Sequence, residues 1–197
     1  MITELCAVMA SIQEREEMRA ATLAQLALDV QVFVRPDIPL GVANCHAVQC
    51  DALEYALVTG RPFVLFVEDD LLISSLFPAA LAVSVAAALP VITFYCAGKQ
   101  FYPAALQRAV VANERIEPGL YCVCNRHRFF GSQALLMRRD FVEAILWDWD
   151  AGPLDLRVAE LSPDTFSAYV PNPVQHLAPP SAWSRRGKPH HSRSFAP

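Results

Sequence analysis

Short apolar runs alternate with longer amphipathic stretches through the first seventy residues. The runs LCAVMA (5–10), VQVFVRPD (30–37) and FVLFVEDD (63–70) have the length and composition of buried strands. The stretches between them have the length of helices, and Gly60 is placed to end the second one. Strand, helix, strand, helix, strand is the order of a mainly parallel central sheet with helices on both faces. The pattern predicts a Rossmann-like α/β domain.

The first predicted helix carries a start signal and two cations. Ser11 and Glu14 have the S-x-x-E spacing of a capping box, so the helix is predicted from this point to about Ala27. Arg15 and Arg19 fall on its apolar face. An arginine there either reaches solvent along the edge of the core or faces a phosphate near the helix N-terminus.

The segment from 71 to 98 contains no charged residue and is long enough to span a bilayer. Pro78 and Pro90 divide it, however, and suit the first turn and the end of a helix. We therefore expect a buried helix followed by a strand, VITFYCA (91–97), and no stable membrane insertion.

The second half is less regular. The predicted elements are a strand at 121–124, a compact apolar segment at 131–137, a short helix at 139–147, a helix beginning at Asp155 and a strand leading to His176. With no repeat and no inner linker, residues 1–180 are expected to form one domain, and 181–197 a C-terminal tail.

Charge is unevenly distributed along the 197 residues. The net charge is −4, which excludes a general basic surface for nucleic acid. The tail has no acidic residue but has four basic ones, Arg185, Arg186, Lys188 and Arg193. The tail either lies in solvent or helps to bind a polyanion or a diphosphate.

Cysteine usage and the N-terminus indicate a cytoplasmic protein. None of the six cysteines forms a C-x-x-C pair, as is typical of a reducing compartment. The first residues include Glu4 and no basic start, unlike a signal peptide.

The triplet Glu68-Asp69-Asp70 ends the third predicted strand, at the sheet edge where α/β proteins bind ligands. The ends of the other two strands, Ala10-Ser11 and 35–37, are expected to converge there. Three adjacent carboxylates either lie in solvent at a turn or hold a hard divalent cation such as Mg²⁺ or Mn²⁺ together with substrate phosphates.

Four stretches in order resemble small glycosyltransferases of the GT-A fold, above all the lipopolysaccharide-type, family-25-like enzymes and short viral or bacterial relatives. These stretches are ASIQEREEMRAATLAQL, LGVANCHAVQCDALEYALVTGRPFVLFVEDD, RFFGSQALLMRRDFVEAIL and PNPVQHLAPPSAW. Together they cover most of residues 5 to 183. The resemblance implies a GT-A-like domain that uses Mn²⁺ or Mg²⁺ and a nucleotide-sugar, with a UDP-sugar first among the donors.

The resemblance also implies roles for individual residues. Asp70 and His176 would bind the metal, and Asp155 would be the general base that deprotonates the acceptor. The nucleotide-sugar would contact Ala10, Ser11, Arg15, Asp37, Asn44, Glu68 and Asp69. The acceptor would contact Gly131, Ser132, Gln133 and Trp147.

Alternative interpretations of these residues stay open. Asp155 is also placed as an ordinary N-cap, and Asp148 and Asp150 compete for the role of base. His176 also suits a structural histidine at a strand end, and tryptophans at the spacing of Trp147 and Trp149 are common in cores.

The expected function is metal-dependent transfer of a sugar to an acceptor hydroxyl. The acceptor is either a surface glycan or a hydroxymethylated base in phage DNA. The alternatives are another metal-dependent nucleotide enzyme, such as a nucleotidyltransferase, and a non-catalytic module that binds a nucleotide or a glycan.

Overall fold

The computed structural model describes residues 3–35, 41–96, 102–112, 114–123, 131–162, 166–177 and 195. The strands are β1 (Leu5–Ile12), β2 (Val30–Arg35), β3 (Phe63–Glu68), β4 (Leu71–Ile73), β5 (Val91–Thr93), β6 (Gly119–Val123), β7 (Ala134–Arg138), β8 (Phe166–Val170) and β9 (Val174–His176). The helices are α1 (Glu16–Leu26), α2 (Gly41–Val58), α3 (Phe77–Ala87), α4 (Ala104–Ala112), α5 (Arg139–Leu146) and α6 (Leu154–Leu161).

Within the described ranges, seven strands form the central sheet in the order β2-β1-β3-β7-β5-β8-β6. Strand β1 is parallel to β2 and β3, and β5 is parallel to β8. Strand β7 is antiparallel to β3 and β5, and β6 is antiparallel to β8. Five of these seven strands (β1, β2, β3, β5 and β8) therefore point the same way, and the prediction of a mostly parallel sheet is confirmed.

Both faces of the sheet are covered by helices. Side chains alternate along a strand, so Val64 and Phe66 of β3 join one apolar cluster while Leu65 and Val67 join the other. The first cluster includes side chains of α2, α4, α5 and α6, and the second includes side chains of α1 and α3. This arrangement is the Rossmann-like α/β fold that the alternation of elements predicts.

The predicted capping box at the start of the first helix is wrong. Strand β1 continues through Ser11 to Ile12, because both residues pair with β2. A single 3₁₀ turn follows, and α1 begins only at Glu16, without a side-chain cap. The Ser11 hydroxyl instead donates a hydrogen bond to Asp69, a residue distant in sequence.

The predicted strand at 91–97 ends early, at Thr93. The Thr93 side chain accepts a hydrogen bond from the backbone N–H of Tyr95, which turns the chain away from the ladder. Helix α4 and the small antiparallel sheet of β4 and β9 were not predicted.

Helix α3 has Pro78 in its first turn, as predicted. Its 11 residues extend about 16 Å, well short of the roughly 30 Å of a bilayer core. Among the helices that the structure describes, none is long and apolar enough to cross a membrane.

Some predictions lie outside the described residues. They concern Asp37, the side chain of Asn44, Cys124 and the tail from 181 to 194. Phe195 is described, and it forms an isolated bridge with Asn172.

Candidate active site

The carboxyl ends of β1 and β3 meet, as their parallel pairing requires. Ala10 is paired with Glu68 in register, and the Ser11 hydroxyl donates to Asp69 Oδ2 at 2.7 Å. Strand β2 ends here too, since Arg35 is paired with Ile12 in register, but the Arg35 side chain pairs with α2 rather than with this group. Its guanidinium lies 2.6 Å from Asp51 Oδ2 of α2, since a partly exposed carboxylate lies within reach.

Glu68, Asp70 and His176 form a candidate metal centre. Each offers one ligand atom, and these atoms lie within 4.8 Å of one another. The pairing of β4 with β9 places His176 opposite Leu71, the residue that follows Asp70. His176 Nε2 lies 3.1 Å from Asp70 Oδ2, and the backbone N–H of Leu177 donates to the Asp70 carbonyl oxygen. Two segments distant in sequence thus build one cluster.

Asp70 gives an independent sign that the cluster is a ligand site. The residue is only 1% exposed, and its Oδ1 accepts no hydrogen bond from any residue that the structure describes. A buried carboxylate oxygen without a donor is costly, and a cation would satisfy it. Two carboxylates and an imidazole fit Mn²⁺ well, and Mg²⁺ through the oxygen atoms.

Cations line one side of the cluster. Arg15 NH1 donates to Asp69 Oδ1 at 3.0 Å and to Asp70 Oδ2 at 2.8 Å. Arg19 NH1 donates to the Ser11 hydroxyl and to the Ile12 carbonyl oxygen. Ser11 donates a hydrogen bond to one carboxylate oxygen of Asp69 and Arg15 donates to the other, so Asp69 links the end of β3 to the end of β1. The cationic side suits an anionic ligand next to the metal centre.

The charges of the cluster shift one another's proton affinity. Burial, with the negative charge of Asp70, raises the pKa of Glu68 to about 8. Burial alone would lower the pKa of His176, but its hydrogen bond to Asp70 and the nearby negative charge outweigh burial and raise it. For Arg15 the opposing effects are burial and the charges of Asp70 and Asp69, and the pKa is raised.

Side chains of helix α1 that the sequence analysis did not predict bind the backbone at the acidic turn, which we define as residues 68–70 together with the following Leu71. The fully buried Thr22 hydroxyl lies 2.9 Å from the Asp69 carbonyl oxygen and accepts the N–H of Leu71 at 3.2 Å. Gln25 Oε1 accepts the N–H of Ile73. A signal was present, since Thr22 follows Arg15 and Arg19 at helical spacing on the same face.

The segment before β7 lies on the other side of Glu68. The Ser132 hydroxyl lies 3.4 Å from Glu68 Oε1, and the Gln133 carbonyl oxygen accepts the N–H of Glu68 at 2.9 Å. Gly131 contributes its carbonyl oxygen to Thr93 rather than to the cluster. Two of the four predicted acceptor-side residues, Ser132 and Gln133, therefore contact a member of the metal centre.

The chain between α5 and α6 reaches the same edge of the sheet. Strand β7 ends beside Phe63, so α5 starts at the opposite edge and runs back toward the carboxyl ends. The Trp149 ring lies 4.4 Å from the ring of His46, near the start of α2. Trp149 is buried in the core, whereas Trp147 is 80% exposed, so the core interpretation holds for only one of the two.

Asp155 occupies the first turn of α6, one residue after its first position, so it is not the N-cap. Its Oδ1 accepts the N–H of Leu156 at 2.9 Å. Burial nevertheless raises its pKa to about 6. Asp148 and Asp150, the competing candidates, are exposed.

The fold and the cluster together define an α/β protein with a candidate metal centre at the carboxyl edge of its parallel strands. No protein-family model matches the sequence, and no curated protein matches it. Among solved structures, the chain is similar to A197 from STIV, with 11% identity and a TM-score of 0.54, over 93% of this chain and 92% of that chain. At this identity the similarity supports the fold and carries no information on activity.

Proposed function

We propose that this chain is a metal-dependent glycosyltransferase of the GT-A type that moves a sugar from a nucleotide-sugar, a UDP-sugar first, to an acceptor hydroxyl. The observation that carries the proposal is the cluster of Glu68, Asp70 and His176 beside Arg15, in which one Asp70 oxygen has no partner among the described residues. Departure of a nucleoside diphosphate builds up negative charge. A bound Mn²⁺ or Mg²⁺ supplies Lewis-acid stabilisation of that charge, and Arg15 adds a second cation.

Asp155 is the proposed general base. It lies in the first turn of α6, after the chain segment that returns toward the carboxyl edge, and its pKa of about 6 makes it a stronger base than an ordinary aspartate while leaving it ionised at neutral pH. It would accept the proton of the acceptor hydroxyl as the new glycosidic bond forms. Gln133 and Ser132 position Glu68 from the acceptor side.

The charge around Trp147 favours a neutral glycan over DNA as the acceptor. Residues 139–160 contain six acidic and two basic side chains. Both basic ones, Arg139 and Arg157, are paired with glutamates. Trp147 itself is exposed and is followed along the chain by the exposed carboxylates of Asp148 and Asp150, which would repel phosphate, while an exposed indole suits stacking on a sugar ring. The proposed place of action is the cytoplasm.

Thermal unfolding with nucleoside diphosphates tests the donor site. We expect one nucleotide, UDP first, to raise the midpoint only together with Mn²⁺, since a ligand at 100 times its Kd stabilises the folded state by about 2.7 kcal/mol. Asp70→Asn should remove the metal-dependent shift. Asp140→Asn, a surface change at the start of α5, should keep it.

A transfer assay tests the chemistry. With Mn²⁺ and a neutral glycan as acceptor, the wild-type protein should release UDP from a UDP-sugar as the sugar is transferred to the glycan hydroxyl, and Asp70→Asn should not. Release of pyrophosphate from nucleoside triphosphates, without release of UDP, would instead show a nucleotidyltransferase. Nucleotide binding that survives in Asp70→Asn, with no turnover by either protein, would favour a binding module.

A further inference from the structure

Arg15 makes two ion pairs with the acidic turn. Its NH1 atom bridges Asp69 Oδ1 and Asp70 Oδ2, and its side chain is 16% exposed, against 3% and 2% for the two aspartates. Pairs this well shielded interact more strongly than surface pairs, because water screens them less. Arg15 is therefore the main arginine counter-ion of the acidic turn among the described residues.

Arg15 and a divalent cation would compete for the carboxylate of Asp70. Asp70 belongs to the candidate metal centre, and Arg15 and His176 both approach its Oδ2 atom. A guanidinium and a metal ion compete for the charge of one carboxylate, and they repel each other. Arg19 donates to the Ser11 hydroxyl and to the Ile12 carbonyl oxygen instead, so it is not part of this competition.

A diphosphate would change this balance. Arg15 forms charge-assisted hydrogen bonds as readily with phosphate as with carboxylate. When Arg15 pairs with a phosphate, its ion pair with Asp70 weakens. The Asp70 carboxylate is then available to bind a metal ion. The coupling free energy between two binding sites is reciprocal, so if the diphosphate increases the affinity for the cation, the cation increases the affinity for the diphosphate by the same factor.

Resting on the proposed function, we propose that Arg15 is an exchangeable counter-ion, which neutralises Asp69 and Asp70 until a diphosphate binds. It thereby makes the site bind a divalent cation tightly only together with the diphosphate. A metal centre of this kind is not loaded by Mn²⁺ alone at low concentration, and it keeps its acidic turn paired between reaction cycles.

The test measures Mn²⁺ binding directly, from the loss of the free-ion signal in electron paramagnetic resonance. The proteins are the wild type, Arg15→Met, Arg15→Lys and a control, Arg139→Met, which breaks the remote surface pair with Glu143. We expect Arg15→Met to bind Mn²⁺ alone about tenfold more tightly, because a competing positive charge is gone. Arg15→Lys keeps the charge and should stay within about threefold of the wild type, as should Arg139→Met.

The second measurement is calorimetric titration of UDP at saturating Mn²⁺, with circular dichroism to check folding. Arg15→Met should bind UDP more weakly, so that metal and diphosphate no longer favour each other. Unchanged or weaker Mn²⁺ binding by a folded Arg15→Met would overturn the inference and leave the metal centre intact. Should Arg15→Met not fold, the wild type decides, since equal Mn²⁺ affinity with and without UDP would also overturn it. Absence of Mn²⁺ binding by every protein, with or without UDP, would overturn both this inference and the proposed function.

Discussion

Replacing Asp155 by asparagine should stabilise the protein above pH 6 and at the same time abolish sugar transfer. Asparagine is nearly isosteric, and its side-chain oxygen still accepts the N–H of Leu156. It removes only the charge, which burial in the native state disfavours. A gain of stability joined to a loss of activity is typical of a group held in place for chemistry.

The magnitude follows from proton linkage. The pKa of Asp155 is raised from 3.8 to about 6 on folding, so the folded state binds more protons between these values. The stabilising contribution is fully present below about pH 4, and it is lost as pH rises to about 6. The shift corresponds to about 3 kcal/mol. Asparagine also loses the favourable charge at a helix N-terminus, about 0.3–1 kcal/mol, and Asp155 is only partly buried. We therefore expect a net gain of about 1 to 2 kcal/mol at pH 8.

Urea unfolding between pH 4 and pH 8 measures this effect, and α5 offers a matched control. Asp140 is also the second residue of an eight-residue helix, and it also accepts the N–H of the next residue. Its hydrogen bond to Arg138 lowers its pKa, so Asp140→Asn should give no gain above pH 6. Equal stability of Asp155→Asn and wild type at every pH would refute the burial argument. Full transfer activity in Asp155→Asn would refute its role as base.

Two further predictions concern the acidic turn and the acceptor face. Thr22→Val should cost about 1–3 kcal/mol in urea unfolding and weaken Mn²⁺ binding, because the buried N–H of Leu71 loses its acceptor, whereas Thr22→Ser should restore both. Mn²⁺ affinity unchanged in Thr22→Val would show that α1 does not position the centre. Trp147→Ala should change stability by less than about 0.5 kcal/mol, because the side chain is 80% exposed, while raising KM for the acceptor and not for the nucleotide-sugar. A KM unaffected for both substrates would remove Trp147 from the acceptor site.

Much of the fold could be predicted because the burial of β1 and β3 is visible as a pattern in the local sequence. A strand buried on both faces is a continuous apolar run, and FVLFV cannot be mistaken for a surface segment. The same reasoning failed at Ser11, where the local S-x-x-E signal favours a helix start. A buried carboxylate partner and pairing with β2 outweigh the roughly 1 kcal/mol of a cap.

Some residues of the candidate site could also be predicted from the sequence, and others could not. Glu68 and Asp70 could be selected as candidate ligands from the sequence, because three adjacent carboxylates follow a buried strand. The role of Thr22 could not be predicted, nor could the lack of a partner for Asp70 Oδ1 within the described part of the chain, since both depend on which atoms pack against the turn.

The sequence by itself determined the order of strands and helices through the first seventy residues and the position of the acidic turn. These features depend on local periodicity, which each segment carries alone. Only the tertiary structure decided that β4 pairs with β9, which brings His176 to Asp70, and that Arg15 turns to the carboxylates rather than to solvent. Such contacts join residues far apart along the chain, and they form because a buried charge must find its partner wherever the fold places one.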